Sequence, residues 1–177
     1  STAIAALAAG RVHAAVVHGP RLNMAKDHLE VQRVRLTQWQ VGLAGAPDAP
    51  SGWWQDALSG AVPVVQREAG AGVQRAFEAA VALDGVVAGP RVSSHYEAAQ
   101  HAVLGGIAGV TIEPAALALG AQFQALETHE AQLWIDRRWV TERLVGAALD
   151  VIVGSRFQRR LQAVGGYDLA GCGELIQ

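Results

Sequence analysis

The stretch that most constrains the fold runs from Val62 to Leu83 and reads VPVVQREAGAGVQRAFEAAVAL. An apolar run at its start, Val62 to Val65, is followed by a polar turn, by Gly70-Ala71-Gly72 and then by a helical pattern. One face of that helix carries Ala76, Phe77, Ala80 and Val81. A strand, a glycine turn and a helix in this order expose backbone N–H groups and the positive end of a helix dipole to an anion. The stretch therefore predicts an α/β unit with a candidate anion site at Gly70, Ala71, Gly72 and Val73.

The glycine turn matches neither of two well-known phosphate-binding motifs. Gly70-Ala71-Gly72 lacks the third glycine of the dinucleotide fingerprint, and Arg75 stands in its place. No Gly-Lys-Ser or Gly-Lys-Thr follows, so a Walker phosphate loop is excluded as well. A purely structural turn between a strand and its packed helix is an equal alternative to an anion site.

The composition narrows the class of protein. The 177 residues suffice for one ordinary domain or for two small lobes, and 51% hydrophobic with 17% charged residues is typical of a folded chain. The net charge of −2 is a poor electrostatic match for nucleic acid. Cys172 is the single cysteine, which excludes an internal disulfide and a cysteine-rich zinc site. No apolar run reaches the ~18 residues of a membrane span.

Short strands alternate with helices along the chain, which predicts a parallel or mixed sheet with crossover connections. The strand predicted over residues 12–17 runs into His18-Gly19-Pro20, and open α/β sheets place ligand groups at this end of their strands. His18 is therefore a candidate ligand residue, with a hydrogen-bonded structural histidine as the alternative. Ser94 precedes a second helix and is placed to cap it.

The remaining elements follow from the same patterns. We predict strands over 31–36, 39–43, 86–88, 108–112 and 132–136 and around Phe123, and helices over 53–58 (capped by Ser51), 114–119, 144–152 and 157–164. The predicted core comprises Phe77, Ala80, Val103, Leu149, Ile152 and Phe157. His95 and His101 lie six residues apart, which does not place them on one helix face as a metal pair. No catalytic constellation stands out.

Several segments together resemble one family. It is the periplasmic-binding-protein-like domain that is often fused to a helix-turn-helix DNA-binding domain in bacterial regulators, and it is related to the molybdate- and tungstate-binding proteins of ABC importers. The segments, in the family's order, are AIAALAAGRVHAAVVHGP, VRLTQWQVGLAGAP, VVQREAGAGVQR, SHYEAAQHAVLGG with GVTIEPAALALGAQF, and SRFQRRLQAVGGYDLAGCGELI. They cover most of the chain.

The resemblance implies an α/β chain with the two-lobed type 2 periplasmic-binding-protein-like fold. Residues 1–177 would form a single such domain, with lobe I at about 1–41 and 127–177 and lobe II at about 42–126. The family domain normally has another strand–helix unit before Ser1, so we interpret the chain as a fragment that lacks its first strand–helix unit. Ligand would lie against helix N-termini, and the ligand-binding residues would be Ser1, Thr2, His18, Gly70, Ala71, Gly72, Val73, Ser94 and His95.

The chain also departs from the family pattern. Where the family usually has Gly-Ser-Gly-Thr-Arg, this sequence has Gly70-Ala71-Gly72-Val73-Gln74, and the usual aspartates are missing at His13 and in the Ile107-Ala108 region. Each lost donor to a charged oxygen is worth ~1.5–3 kcal/mol. We therefore expect molybdate or tungstate, as ligands, to bind more weakly than about 10 μM. A more apolar ligand, or a site retained only structurally, is the alternative.

The functional prediction is a cytoplasmic, non-catalytic ligand-sensing domain of a bacterial transcriptional regulator, without cofactor or metal. It would contact DNA only through a helix-turn-helix domain outside this chain and would not contact a membrane. Adjacent helix residues point about 100° apart, so at least one of Trp53 and Trp54 should be partly exposed or lie at an interface. We predict a homodimer, since bacterial regulators of this kind usually read two half-sites. The alternatives are a molybdate- or tungstate-type receptor of an ABC importer, or an interaction or dimerisation module with a degenerate ligand site.

Overall fold

The structure, a computed structural model, describes residues 2–20, 22, 29–81 and 87–176 of the chain. Its strands are β1 (Ala14–Gly19), β2 (Val31–Gly45), β3 (Gln66–Arg67), β4 (Arg91–Val92), β5 (Gly109–Ile112), β6 (Gln122–Asp136), β7 (Tyr167–Asp168) and β8 (Leu175–Ile176). Its helices are α1 (Thr2–Ala8), α2 (Trp53–Ser59), α3 (Gly72–Ala80), α4 (His95–Gly105), α5 (Glu113–Ala118), α6 (Arg143–Val153) and α7 (Ser155–Val164), with a 3₁₀ turn at Arg137–Trp139.

The strands pair in two groups. One sheet has the order β1-β6-β2-β5, with β7 and β8 also pairing with β2, and β3 and β4 form a separate parallel pair. β1 is antiparallel to β6, with Val16 opposite Leu133, and β2 is antiparallel to β5, with Leu43 opposite Val110. The alternation of strands and helices in the sequence thus corresponds to a mixed sheet.

The chain divides into two compact units. The first unit comprises Ser1–Gln38 and His129–Gln177, and the second comprises Trp39–Thr128. The core of the first unit is the cluster of Ile4, Leu7, Ala15, Val17, Leu22 and Trp134. Trp134 is fully buried, donates its indole N–H to the Gln132 side chain at 2.8 Å, and lies 4.6 Å below the Arg33 guanidinium. A cation over an indole face stabilises such a buried ring without a second hydrogen bond.

The second unit is built around the predicted strand–turn–helix. Val64 and Phe77, both at most 1% exposed, lie in its main cluster with Val41, Leu43, Ala57, Val73, Ala76, Val87, Ala108 and Val110. Trp53 and Trp54 are both half-buried and pack against this cluster. The indole of Trp53 lies on the backbone of Gly45, where a Cβ would meet the ring at 2.6 Å. Glycine at position 45 therefore lets the aromatic ring cover the end of β2.

In two places, two short strands predicted separately belong to one long strand in the structure. Residues 31–36 and 39–43 belong to the 15-residue strand β2, and Phe123 and residues 132–136 belong to the 15-residue strand β6. Thr37, which lies between the strands predicted over 31–36 and 39–43, is buried, and its hydroxyl donates to the carbonyl of Asp168 at 2.8 Å. A satisfied hydroxyl costs little to bury, so the strand continues.

Other local predictions were also wrong. His18 lies within β1, opposite Ala131, rather than in a loop after the strand. The N-cap of α2 is Gly52, and Ser51 makes no cap hydrogen bond there. The strand predicted over 62–65 is observed instead as β3 at Gln66–Arg67, with only an isolated parallel bridge at Val65. The strand predicted over 86–88 is observed instead as β4 at Arg91–Val92, and residue 86 lies outside the described residues.

The C-terminal helices contribute less to the core than predicted. Leu149, Ile152 and Phe157 are half-buried, and so are Ala80 and Val103, whereas Phe77 is buried as predicted. Neither α6 nor α7 has a buried residue. The physical reason is that these two helices pack mainly on each other and on the two-residue strand β7, which leaves much of their apolar stripe uncovered.

Candidate functional site

The candidate site lies in the second unit, where its parallel strands end. β3 and β4 are parallel, with Arg67 opposite Val92, and the parallel bridge between Val65 and Gly109 gives β5 the same direction. We call the end of these strands the carboxyl edge. Helices α3 and α4 begin directly beyond β3 and β4, so the glycine turn and Ser94-His95 both lie at this edge. In open α/β sheets this is the edge at which ligands bind.

The first turn of α3 has no side-chain cap. Its N-cap residue is Ala71, whose methyl group cannot accept a hydrogen bond, and the intrahelical ladder begins with Arg75 N–H donating to the Ala71 carbonyl at 3.0 Å. Within the described part of the chain, the N–H groups of Gly72, Val73 and Gln74 have no acceptor. These amides and the helix dipole leave partial positive charge at the start of α3.

The start of α4 differs from that of α3. The hydroxyl oxygen of Ser94 accepts hydrogen bonds from the N–H groups of Tyr96 at 3.2 Å and Glu97 at 3.4 Å, as the sequence predicted for a cap. His95 is half-buried, and its carbonyl accepts a hydrogen bond from the Thr111 hydroxyl at 2.7 Å. Two N–H groups in the first turn of α4 are therefore already hydrogen-bonded to the Ser94 hydroxyl. The start of α4 has fewer N–H groups left for an anion than the start of α3.

Two side chains of the glycine-turn motif face the protein interior. Val73 is 3% exposed and belongs to the main core cluster of the second unit, so only its backbone N–H is available to a ligand. The Gln74 side chain is fully buried. Its carbonyl oxygen accepts the Arg67 backbone N–H at 2.9 Å, and its amide donates to Gln66 and Glu78, each at 3.0 Å. Gln74 thus joins α3 to β3 and does not supply a free donor.

Arg67 is the functional candidate that the sequence analysis missed. It is the last residue of β3, and its side chain is only 6% exposed. Its Nε donates to the Glu68 carboxylate at 2.9 Å and to the Val92 carbonyl at 3.3 Å, while Nη2 donates to the same carboxylate at 2.9 Å and to the Ser93 carbonyl at 2.8 Å. Nη1 is buried and has no acceptor in the described residues. A buried guanidinium nitrogen without a partner is energetically costly, which is typical of a functional position.

Glu68 covers the buried guanidinium from the solvent side. Its side chain is 54% exposed, and both of its carboxylate oxygens bind Arg67. A hydrogen bond from its own backbone N–H and the nearby positive charge of Arg67 lower the pKa of the Glu68 carboxyl below its ordinary value. The carboxylate is therefore ionised at neutral pH and neutralises the arginine.

The other predicted ligand residues lie in the first unit. Ser1 is outside the described residues, and Thr2 is the first residue of α1. His18 is exposed in β1. The structure thus brings the Gly70–Val73 turn and Ser94-His95 to one edge of the second unit, and it places Thr2 and His18 in a different unit.

A cavity of about 540 Å³ lies at the opposite edge of the second unit, near the residues that precede β5. Its wall includes Trp53, Ile107 and the carboxylate residues Asp48 and Asp56. Gln122 fixes its rim, because the Gln122 amide donates to the carbonyls at positions 47 and 49 at 3.1 and 2.8 Å. The described residues contain no group of three or more metal-ligating side chains, here or elsewhere.

Comparison with known proteins identifies the relatives of the chain. A family model described as a PBP superfamily domain matches residues 1–153. A comparison with curated proteins gives no significant match. None of the helices that the structure describes has the length and apolarity needed to cross a membrane.

Solved structures of low sequence identity share the fold. An ABC-type phosphate transport receptor from Vibrio cholerae superposes with a TM-score of 0.63 at 11% identity, covering 93% of this chain and 83% of that one. The regulatory domain of MetR, a LysR family regulator from N. meningitidis, gives 0.62 at 11% identity, with 95% and 79% covered. The cofactor-binding domain of the Cbl transcriptional regulator gives 0.57 at 16% identity, with 92% and 75% covered.

Proposed function

The chain belongs to the PBP superfamily, and on that basis we propose that it is a non-catalytic ligand-sensing domain that binds a small anion at the carboxyl edge of its second unit. Family and neighbours together confirm the predicted fold class, the type 2 periplasmic-binding-protein-like α/β fold. The observation that carries the proposed ligand class is the juxtaposition of Arg67, buried with an unsatisfied Nη1, and the uncapped first turn of α3.

The chemistry of this edge favours an anion over a neutral ligand. Three consecutive N–H groups at the start of α3 have no acceptor in the described residues, and a hydrogen bond from such a donor to a charged oxygen contributes ~1.5–3 kcal/mol. Gly70 has φ 84°, a left-handed conformation that favours glycine, and no atom lies within 4 Å of where its Cβ would stand. The turn is therefore open on this side. An oxyanion or a carboxylate fits this set of donors.

The proposed biological context is a bacterial transcriptional regulator in the cytoplasm. The MetR and Cbl domains that share the fold belong to regulators, and the resemblance in the sequence points the same way. Binding would shift the conformational equilibrium of the domain and so bias a helix-turn-helix domain outside this chain. The phosphate transport receptor supports the alternative, an importer receptor, and a degenerate interaction module is the third candidate.

An experiment on the first turn of α3 tests the proposal. Gly72 is the first helical residue, a position at which proline is well tolerated, so Gly72→Pro removes one N–H and keeps the helix. Gly72→Ala retains the N–H and is the matched control. We expect molybdate, phosphate or sulfate to bind the natural chain with a dissociation constant above about 10 μM and Gly72→Pro to weaken binding at least tenfold in calorimetric titration.

Backbone amide NMR locates the ligand at the same time. We expect the largest shifts at Gly72 and Val73 when the anion is added. Shifts confined to the cavity around Trp53 would contradict the proposed site, and the absence of any shift with these three anions at about 10 mM would overturn the proposal of an anion ligand.

A further inference from the structure

We propose that the Glu68 carboxylate is an internal competitor that occupies the Arg67 guanidinium and has to be displaced when an anionic ligand binds. This inference rests on the proposed function of the same edge. It assigns to Glu68 the role of a specificity residue that sets how strongly an oxyanion or carboxylate binds. Glu68 itself has the chemistry of the ligand class, because its two oxygens bind the arginine as a ligand carboxylate would.

The geometry of the ion pair supports this role. Glu68 binds Nε and Nη2 of Arg67 in a bidentate arrangement, with both distances 2.9 Å. The arginine side chain is 6% exposed, whereas the glutamate side chain is 54% exposed. The carboxylate therefore lies between the guanidinium and solvent, and an anion that approaches from solvent meets Glu68 first.

Arg67 is held in place independently of Glu68. The carbonyls of Val92 and Ser93 accept hydrogen bonds from its Nε and Nη2 at 3.3 and 2.8 Å. These acceptors belong to the end of β4 and the residue after it, so they fix the guanidinium against the sheet. When the carboxylate leaves, the guanidinium remains positioned with donors to offer, and Nη1 has no acceptor in the described residues even before that. A preorganised charge binds an anion with little loss of entropy.

Glu68 is also tied to the uncapped turn. Its carbonyl accepts the Ala71 N–H at 3.2 Å, so the backbone of Glu68 and the N-cap residue of α3 form one turn. The unpaired carboxylate would become hydrated at low cost, since its side chain is already half-exposed. An anion that stayed beside the ionised Glu68 would be repelled by a like charge. Displacement of the Glu68 carboxylate removes that repulsion and at the same time makes the Arg67 donors available to the anion.

The test compares Glu68→Gln with Glu97→Gln. Glu97 lies in the first turn of α4, at the same edge. In the part of the chain that the structure describes, the carboxylate that hydrogen-bonds to Arg67 is that of Glu68 and not that of Glu97, so this control removes the same charge and leaves the Arg67–Glu68 pair intact. We expect calorimetry with inorganic phosphate and with molybdate to show at least tenfold tighter binding for Glu68→Gln and less than about threefold change for Glu97→Gln. Glu68→Ala, which leaves no acceptor, should bind at least as tightly as Glu68→Gln. Thermal unfolding of each variant establishes that it is folded.

A second readout separates displacement from a general change of charge. In the natural chain, the NMR resonance of the Arg67 Nε–H should shift when anion is added, and in Glu68→Gln the free protein should already differ at that resonance. Anion binding of equal strength in the natural chain and in Glu68→Gln would overturn this inference and leave the proposed function intact. Equal tightening by Glu68→Gln and Glu97→Gln would overturn it as well. Absence of binding in all of these proteins would overturn the proposed function together with the inference.

Discussion

The side-chain carbonyl oxygen of Gln74 accepts a hydrogen bond from the backbone N–H of Arg67 at 2.9 Å, and this bond joins the first turn of α3 to the end of β3. The Gln74 amide donates in turn to the side chain of Gln66. Where the family pattern given above has an arginine, this chain has a glutamine whose side chain joins α3 to β3. The fully buried Gln74 therefore stabilises the connection between α3 and β3.

Gln74→Ala should destabilise the protein by about 2–3 kcal/mol, because the Arg67 N–H and the Gln66 side chain each lose a buried partner. Chemical denaturation measures this loss. Gln100→Ala, at an exposed position of α4, is the matched control and should change the free energy of unfolding by less than about 0.5 kcal/mol. Equal losses in the two variants would contradict the proposed role of Gln74.

Two phenylalanines that the sequence placed in the core should respond differently to truncation. Phe77 is 1% exposed, so Phe77→Ala should cost about 3–5 kcal/mol in the free energy of unfolding. Phe157 is half-buried on α7, and Phe157→Ala should cost less than half as much. Urea denaturation of both variants decides the point. A larger loss for Phe157 would show that the C-terminal helices are packed more tightly than the structure indicates.

The elements set by local pattern were predictable from the sequence. Helix α3 follows the glycine turn as expected, and Ser94 caps α4 with the two hydrogen bonds that its position predicts. The burial of Phe77 follows from its place on the apolar face of α3. In these cases the information lies within a few residues along the chain, which is the range over which periodicity and capping act.

The burial of a residue whose partners are distant in the sequence was not predictable. Arg67 at the end of a strand resembles a solvated turn residue, and its burial is decided by the carbonyls of Val92 and Ser93, 25 and 26 residues further along. The burial of Thr37 depends on its hydrogen bond to the carbonyl of Asp168, which lies 131 residues further along the chain. The apolar stripe of α6 identifies a face of the helix, but periodicity does not reveal whether another element covers that face.

Two glycines should tolerate alanine very differently. A Cβ at Gly42 in β2 would meet the backbone carbonyl oxygen of Gln124 in β6, and a backbone atom cannot give way as the end of a flexible side chain can. Gly42→Ala should therefore destabilise the protein by more than about 2 kcal/mol. Gly146 in α6 has no atom within 4 Å of where its Cβ would stand, so Gly146→Ala should stabilise by about 0.5–1 kcal/mol through helix propensity. Thermal unfolding of both variants measures whether Gly42→Ala lowers and Gly146→Ala raises the stability of the protein.

The predicted homodimer has a direct test in solution. Trp53 and Trp54 are half-buried, and Leu144 and Val151 on α6 are 81% and 66% exposed, so apolar surface is accessible in both units. We expect sedimentation at about 100 μM to show a dimer, since apolar surface of this kind is typical of interfaces. Leu144→Glu and Trp54→Glu, measured separately, distinguish the two surfaces. A monomer at that concentration would contradict the prediction for this chain.

Asp136 should titrate at an unusually acid pH. The Arg138 side chain donates to both carboxylate oxygens, with Nη2 at 2.6 Å from Oδ2, and the Arg138 N–H donates to Oδ1 at 2.9 Å. First the side-chain hydrogen bonds and then the backbone one lower the pKa of Asp136 to about 2. Because the folded-state pKa lies below the unfolded value of about 3.9, the stabilisation by this pair is fully present above about pH 4 and is lost as the pH falls through about 2.

Carboxyl ¹³C NMR measures this titration at a single residue. Arg138→Gln removes the donor side chain and should return the pKa of Asp136 towards the ordinary range of an aspartate. Arg137→Gln is the matched control, because Arg137 contacts the Glu30 carbonyl through its backbone, and the pKa of Asp136 should stay at about 2 in that variant. If both substitutions raised the pKa equally, net positive charge near the 3₁₀ turn, and not the hydrogen bonds of Arg138, would be the cause of the acid titration.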